Sequence, residues 1–151
     1  MIEREIGSIA KYMYDVSGIK NIYFDEVPQD FKKPSLYFPT PMQIQRGDTV
    51  NSYAYMNSLF VKVFDEKTRD AYSKAATIVN SISKNRNLIP LVKEDGAQDN
   101  KGIRLRKVSI KKLDVGTIQI EVQWDSVFAY TEETYAKVQR FYFDMKEKEG
   151  K

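Results

Sequence analysis

The stretch from Asn51 to Ile82 constrains the fold most, because it predicts a strand that runs directly into a helix. Apolar residues occupy both alternating faces of that strand. One face carries Tyr53, Tyr55, Leu59, Val61 and Val63, and the other carries Ala54, Met56, Ser58, Phe60 and Phe64. A strand with two apolar faces is typical of a sheet centre that is covered on both sides. We therefore expect helices over one face and a second layer or another subunit over the other.

Two amphipathic helices are predicted. Residues 2–16 repeat apolar side chains at spacings of three and four, and Gly18 follows as a helix stop. The second helix begins after an acidic turn, with Asp65 at the position of an N-cap. Its apolar stripe comprises Ala71, Tyr72, Ala75, Ile78, Val79 and Ile82.

The first half of the chain also predicts edge strands. Residues 20–26 form a short β-rich run, and residues 35–45 form a second strand that contains Pro39 and Pro41. Each proline lacks its amide donor, and residues two apart direct their amides to the same side of a strand. One side of this strand therefore cannot be fully paired, so the strand lies at an edge or bends away at its start. The tripeptide Arg46-Gly47-Asp48 matches an adhesion motif, but Gly and Asp are typical of turns, so we interpret it as a hairpin turn into the central strand.

The second half predicts a polar loop and a long hairpin. A short strand over residues 88–92 is followed by a polar loop over residues 93–102. In the basic strand over residues 103–113 the alternation breaks twice, which predicts bulges near Arg106-Lys107 and Lys111-Lys112. The strand over residues 117–130 alternates cleanly, and its outward acids and amides predict pairs with the neighbouring cations.

The sequence thus predicts an α+β fold: a mostly antiparallel sheet of five to six strands with two helices packed on one face. Residues 1–130 are expected to form a single domain, which suits a chain of 151 residues. Residues 131–151 are expected to form a C-terminal extension, whose pattern fits either a helix or a strand.

Composition argues against several classes of function. The chain contains neither cysteine nor histidine, so disulfides, thiolate chemistry and the commonest metal ligands are absent. Glu94, Asp95 and Asp99 lack the bidentate acid that completes an EF-type calcium loop. Adjacent acids such as Asp25 and Glu26 leave carboxylate catalysis formally open. We expect no enzyme activity, no cofactor and no metal site.

The chain also lacks the signs of a membrane or secreted protein. No apolar run reaches the roughly 18 residues of a membrane span, and Glu3 and Glu5 do not fit a signal peptide. We therefore expect a cytosolic protein with no membrane partner. The net charge of +3 is a mild excess that says little about partners.

Nucleic-acid binding is an alternative from another class. The basic strand carries five cations with no acid among them: Arg104, Arg106, Lys107, Lys111 and Lys112. Aromatic residues are absent from that run, and the alternation spreads its charges over both faces. Pairing with the acidic strand beside it is the simpler interpretation.

A segment ahead of the central strand resembles a known family. The sequence YFDEVPQDFKKPSLYFP precedes a Tyr-rich strand and a helix, and it carries Gln29, Phe31, Pro34, Tyr37 and Phe38. This pattern resembles the tail-terminator or tail-to-head joining proteins of long-tailed bacteriophages, particularly a group from Gram-positive hosts. The likeness covers residues 2–130, and the segment beyond Thr131 departs from it.

The resemblance implies a structural virion protein of the tail. Such a subunit is assembled in the host cytoplasm as a ring, usually a hexamer, on the last ring of the tail tube. It would contact the tail tube protein and a neck or head connector protein, while DNA passes through the lumen without sequence-specific binding. A neck, head-completion or tail tube subunit is the alternative within the virion.

Contact regions of such a ring are expected where a single subunit leaves residues exposed. The regions are the turn at Arg46–Asp48, the loop at residues 94–101, the basic strand and the C-terminal aromatic cluster. The interface candidates are Arg46, Asp48, Glu94, Asp95, Asp99, Lys101, Arg104, Arg106, Phe141 and Phe143.

Overall fold

The computed structural model describes residues 2–93 and 98–129, with the side chains of residues 98–100 left out. Two helices and seven strands follow one another along this part of the chain. Their bounds are α1 Ile2–Ser17, β1 Asn21–Phe24, β2 Ser35–Phe38, β3 Met42–Thr49, β4 Ser52–Phe64, α2 Thr68–Lys84, β5 Leu88–Val92, β6 Gln98–Asp114 and β7 Thr117–Ala129.

The strands form one sheet in the order β1-β2-β4-β7-β6-β5, and β3 pairs with β4 beside β2. Only the pairing of β1 with β2 is parallel among the described strands. The predicted α+β fold with a mostly antiparallel sheet is therefore confirmed. One predicted strand becomes two, because β2 ends before Pro39 and β3 begins after Pro41.

Both helices lie on one face of the sheet, as predicted. The apolar stripe of α2 packs on β4, β6 and β7 except at Tyr72, which is 52% exposed and was wrongly included in the buried stripe, and α1 packs on α2 and β5. The core between the two layers includes Met13, Ile78, Leu59, Val122 and Trp124, each at most 1% exposed. Burial of this layer supplies most of the stabilisation, at about 25 cal/mol per Å² of apolar surface.

The hairpin turn lies further along the chain than predicted. Arg46, Gly47 and Asp48 are part of β3, and the turn is made by Val50 and Asn51. The ladder with β4 continues through Gly47, and the register shifts between Gly47 and Thr49. The Asp48 carboxylate accepts a hydrogen bond of 2.8 Å from Ser52 Oγ across the hairpin end. The turn prediction for Arg46–Asp48 was therefore wrong, because Gly47 lies within β3 next to a β-bulge.

The polar loop before β6 is shorter than predicted. β6 begins at Gln98, because pairing with β5 extends from Leu88–Arg104 to Val92–Gln98. Residues 98–102 are therefore strand rather than loop. The two predicted bulges are present as register shifts between Leu105 and Lys107 and between Lys112 and Asp114.

Asp65 is not the N-cap of α2. Lys67 occupies that position and makes no side-chain capping bond. The Asp65 carboxylate instead accepts hydrogen bonds from the Glu66 amide and from Lys74 Nζ. Burial would raise the pKa of Asp65, but the bonds from Lys74 and Glu66 and the charges of Lys74 and Lys33 outweigh it and leave the pKa lowered.

The turn between β6 and β7 packs against the segment that connects β4 to α2. Gly116 adopts φ +72°, and its carbonyl accepts a 2.9 Å bond from the Asp65 amide. The Gly116 amide donates to Thr68 Oγ1 at 2.8 Å. A Cβ at position 116 would lie 2.4 Å from the Asp65 carbonyl oxygen, so the turn requires glycine on both conformational and steric grounds.

Candidate assembly surfaces

The face of the sheet turned away from the helices, here called the outer face, carries exposed apolar side chains. Directly opposed residues share a face, so Met42, Ile44 and Val127 lie with Met56 on this side. Met42 and Ile44 are each 50% exposed and Val127 is 57% exposed. Contiguous exposed apolar groups of this kind commonly mark protein contacts.

A cluster of three charges stands beside this apolar row. Asp125 of β7 faces Arg46 of β3, with Oδ2 3.4 Å from Nη2. Its other oxygen lies 3.6 Å from Arg106 Nη2 of β6, an ion-pair distance that is longer than a hydrogen bond. A single carboxylate therefore faces two guanidinium groups, and the cluster carries one surplus positive charge.

A second ion pair follows along the same strands. Lys107 Nζ lies 3.1 Å from Glu121 Oε2, although the geometry is not that of a hydrogen bond. The predicted cross-strand pairing between the basic strand and the acidic row is therefore confirmed at two of its cations. Each such exposed pair adds about 0.2 to 1 kcal/mol to stability.

Aromatic rings cover the other end of the outer face. Phe31, in the loop between β1 and β2, packs on Phe64 with ring centroids 4.8 Å apart. Tyr23 contacts Phe31 edge-on at 6.5 Å, and Tyr37 lies beside Phe64. Lysine ammonium groups sit over two of these rings, which places cationic and aromatic groups together; the pairs are Lys33 over Phe31 and Lys62 over Tyr37.

On the helix face, a buried polar network joins α1 to the sheet. Asn57 is fully buried and donates a 2.8 Å bond to Ser126 Oγ. Ser126 donates to the Glu5 carboxylate at 2.9 Å, and Trp124 Nε1 donates to the same carboxylate at 3.1 Å. Gln43 of β3 completes the series with a 2.9 Å bond to Asn57 Oδ1. These bonds connect α1 to β7 and, through Asn57 and Gln43, to the neighbouring strands β4 and β3.

The sheet divides beside this network. The carboxyl-terminal part of β6, from Leu105 to Asp114, pairs with β7. Its amino-terminal part, from Gln98 to Arg104, pairs with β5 instead. β7 continues with β4 to the pair of Ala129 and Ser52. Between the two arms lies an open groove of about 630 Å³, here called the cleft. Its lining includes Lys101–Arg106 on one arm, Trp124–Val127 on the other, and Glu5 and Leu91.

The predicted interface candidates fall into three groups. Arg46, Asp48 and Arg106 are exposed on strands but bonded within the subunit, whereas Lys101 and Arg104 are exposed and line the cleft. Asp99 lies on β6, and its side chain is not described. Glu94, Asp95, Phe141 and Phe143 lie outside the described residues.

The sequence did not reveal the exposed apolar residues of the outer face or the polar network around Glu5. Met42 and Ile44 alternate with glutamines like the apolar residues of any half-buried strand, so no local signal marked them as exposed. The alternation of residues 117–125 does extend to an outward Val127, but it does not show that this position lacks cover. From the sequence, Glu5 was noted only as an acid that does not fit a signal peptide. Its bond to Trp124 joins positions 119 residues apart.

No metal site or membrane segment emerges from the described residues. In this portion of the chain, no group of three or more histidine, cysteine, aspartate or glutamate side chains could hold a metal ion. None of the described helices is long and apolar enough to cross a membrane.

Comparison with known proteins gives two close relatives. No protein-family model matches the chain. It is 32% identical over 142 residues to the uncharacterized protein YqbJ of Bacillus subtilis (strain 168), covering 94% of this chain and 97% of that protein. It is also 32% identical over 126 residues to the phage-like element PBSX protein XkdJ of the same strain, covering 83% and 86% respectively.

Among solved structures, one chain of the virion of a native gene transfer agent particle is similar at a TM-score of 0.47 and 10% identity. The match covers 83% of this chain and 94% of that one. A likeness of that size carries no functional argument.

Proposed function

Because the chain belongs to the family of YqbJ and the phage-like element PBSX protein XkdJ, we propose that it is a structural virion protein that acts as a tail terminator. In this role the subunit forms a ring, a hexamer by the family resemblance, that caps the tail tube and joins the tail to the head or neck. Membership of a family with a phage-element protein supports the virion role. The partners would be the tail tube protein and a neck or head connector protein.

The observation that carries the proposal is the outer face of the sheet. Met42, Ile44 and Val127 are exposed there by half or more, and no described element packs over them. Helices cover the opposite face of the sheet, and they themselves expose Tyr14 and Tyr72 by 41% and 52%. The outer face differs in that its exposed apolar groups belong to the sheet itself. Covering that side with another copy removes it from water, and symmetric homo-oligomers are the commonest way in which proteins do so.

The charges of the outer face suit a ring around DNA better than a sequence-reading protein. Arg106 and Lys107 are paired with Asp125 and Glu121, and pairing reduces their ability to neutralise phosphates. Register puts Lys107 and Lys111 on the outer face and Lys112 opposite Ile118 on the helix face. The basic strand therefore does not present one row of free cations, which argues against the nucleic-acid alternative.

The test is the assembly state of the purified chain. Light scattering and negative-stain imaging should show closed rings, either for the protein alone or after mixing with the tail tube protein of the same phage element. Monomers under both conditions would overturn the proposal. Rings that stack with copies of themselves along a tube, instead of capping it, would support a tube subunit.

A pair of variants ties assembly to the outer face. Met42→Asp with Ile44→Asp should abolish ring formation, because buried carboxylates without partners are costly. Val115→Asp is the matched control, since Val115 is an exposed apolar residue in the β6–β7 turn. Thermal unfolding must show that both variants remain folded. Equal assembly of the double variant and the control would exclude the outer face as the contact.

A further inference from the structure

The cleft contains an unpaired sheet edge. Beyond Trp124, β7 keeps its ladder with β4, while β6 departs to pair with β5. The edge of β7 from Asp125 to Ala129 therefore has no strand partner among the described residues. In an antiparallel sheet, alternate residues direct their N–H and C=O groups toward a given edge. Such an edge is a template for an added strand.

The cleft has room for a peptide backbone. Its volume of about 630 Å³ lies within the range of about 300 to 1,000 Å³ that is usual for ligand sites. Leu105 and Trp124 close its inner end, where the two arms still pair. A strand entering from the open end would lie along β7 as far as this closure.

The walls of the cleft carry uncompensated positive charge. Lys101 and Arg104 are exposed, and no described carboxylate lies within ion-pair distance of either. The carboxylates nearby are already engaged, since Asp125 faces two arginines and Glu5 accepts bonds from Trp124 and Ser126. An occupant would therefore be favoured if it supplied negative charge.

Lys101 and Arg104, which have no ion-pair partner among the described residues, lie on opposite faces of the β6 arm. Leu105 is opposite Trp124 on the helix face, so by alternation Lys101 shares that face and Arg104 projects to the outer face. Neighbouring residues of an added strand also point to opposite faces. Two consecutive carboxylates on such a strand would thus point to the same two faces as the two cations.

We propose that the cleft binds an extended acidic segment of a partner protein by strand addition to Asp125–Ala129. Two adjacent carboxylates of that segment pair with Lys101 and Arg104, and its backbone completes the ladder of β7. The cleft binds such a segment whether or not the subunit forms a ring, so failure of ring assembly leaves this interaction intact.

Fluorescence anisotropy with the full chain tests the binding directly. The probe is a labelled peptide of sequence Thr-Val-Glu-Glu-Val-Thr-Val, and its control carries Gln-Gln in place of Glu-Glu. We expect saturable binding of the acidic peptide and at least about tenfold weaker binding of the control. A version with alternate backbone amides N-methylated should also lose binding, because it cannot form the ladder. Absence of saturation up to about 1 mM, or retained affinity after methylation, would overturn strand addition.

Charge reversal identifies the cations. Lys101→Glu with Arg104→Glu should weaken binding of the acidic peptide at least about tenfold and permit binding of a Lys-Lys peptide. Lys111→Glu is the matched control, because it is another exposed cation of β6 outside the cleft. If Lys111→Glu weakened peptide binding as much as the double variant, the loss would reflect net charge and not the cleft, and the proposal would be overturned.

Two competitors would reassign the cleft. If a short DNA duplex displaced the peptide with higher affinity, the cations would serve phosphate groups instead. If the peptide bound only after removal of residues 130–151, the site would belong to the chain's own C-terminal segment. Either result would overturn a partner peptide as the occupant.

Discussion

Arg46 and Asp125 meet on the outer face of the sheet, with Nη2 3.4 Å from Oδ2, although 79 residues separate them in the sequence. Arg106 approaches the same carboxylate from the opposite side. Asp125 thus connects β3, β7 and β6 across the surface that we assign to assembly. Its role there is to hold two like charges together.

Removing that carboxylate should destabilise the subunit more than removing either arginine. Asp125→Asn leaves two guanidinium groups without a counter-ion, and we expect a loss of about 0.5 to 1 kcal/mol in urea unfolding. Arg46→Gln should cost less, because Asp125 keeps Arg106. The difference should shrink in about 1 M salt, where charges are screened within about 3 Å. A salt-independent difference would contradict an electrostatic origin.

Gly116→Ala should be among the most damaging single-methyl changes in the described part of the chain. The φ of +72° is unfavourable for alanine, and its Cβ would meet the Asp65 carbonyl oxygen at 2.4 Å. We expect a loss of more than about 2 kcal/mol in the free energy of unfolding. Denaturant unfolding measures this directly.

Gly7→Ala is the control for that substitution. Gly7 is exposed within α1, and nothing lies within 4 Å of an added Cβ. Alanine is favoured over glycine in helices, so the same methyl group should stabilise here by about 0.5 to 1 kcal/mol. Similar losses at both positions would refute the steric explanation for Gly116.

The pair of Asp65 and Lys74 should make stability depend on pH in acid. The folded state lowers the pKa of Asp65 below its ordinary value of 3.8. Its contribution is therefore fully present above that value and is lost as the pH falls through the folded pKa. Urea unfolding between pH 7 and pH 2 should show this loss in the natural chain and a smaller one in Asp65→Asn.

Asp15→Asn provides the comparison for the acid experiment. Asp15 lies 3.9 Å from Lys11 on the surface of α1, and both side chains are more than half exposed. Such a pair contributes little to stability. The pH profile of this variant should match that of the natural chain, and a matching profile for Asp65→Asn would exclude Asp65 as the source.

The polar network around Glu5 should be sensitive to loss of its acceptor. Glu5→Ala leaves the Trp124 indole N–H and the Ser126 hydroxyl without their acceptor, at a cost of about 1 to 3 kcal/mol. Glu5→Gln retains one carbonyl oxygen and should cost less. Trp124 is the chain's one tryptophan, so its fluorescence reports the change at that residue. An unchanged emission spectrum in Glu5→Ala would contradict the indole contact.

Arg104 and Arg106 should differ when each is changed to glutamate. Arg106→Glu places two acids together beside Asp125, so it should lower the free energy of unfolding. Arg104→Glu breaks no side-chain hydrogen bond or ion pair among the described residues, so it should leave stability nearly unchanged while weakening partner binding. Equal losses of stability would mean that both residues serve the sheet itself.

The sequence predicted the helices and most strands well, because the periodicity of a helix or strand depends only on the residues within that segment. The stripe of α2 indicates which side of that helix is buried, and Pro39 and Pro41 indicated an irregular strand, although they divide the predicted strand over residues 35–45 into β2 and β3. Broken alternation near Arg106 located a bulge, since one extra residue reverses the facing of all that follow. None of these inferences required knowledge of a distant partner.

Features that depend on pairing between distant segments could not be predicted in the same way. The alternation of β6 is continuous through Arg104, so nothing in it shows that the strand changes neighbours at that point. Asp65 satisfied the local rule for an N-cap, yet it bonds instead with Lys74, nine residues later, and with Gly116, 51 residues later. The cleft and the outer face both depend on which distant segments pair with each other.

Helix α1 spans the two arms of the divided sheet. On one side, Arg4 Nε donates to the Val92 carbonyl at 2.7 Å and Ser8 Oγ accepts from the Val92 amide at 3.0 Å. On the other, Glu5 holds Trp124 and Ser126 of β7. One turn of α1 is therefore hydrogen-bonded to both arms, so the separation of the arms and the position of this helix are fixed by the same contacts.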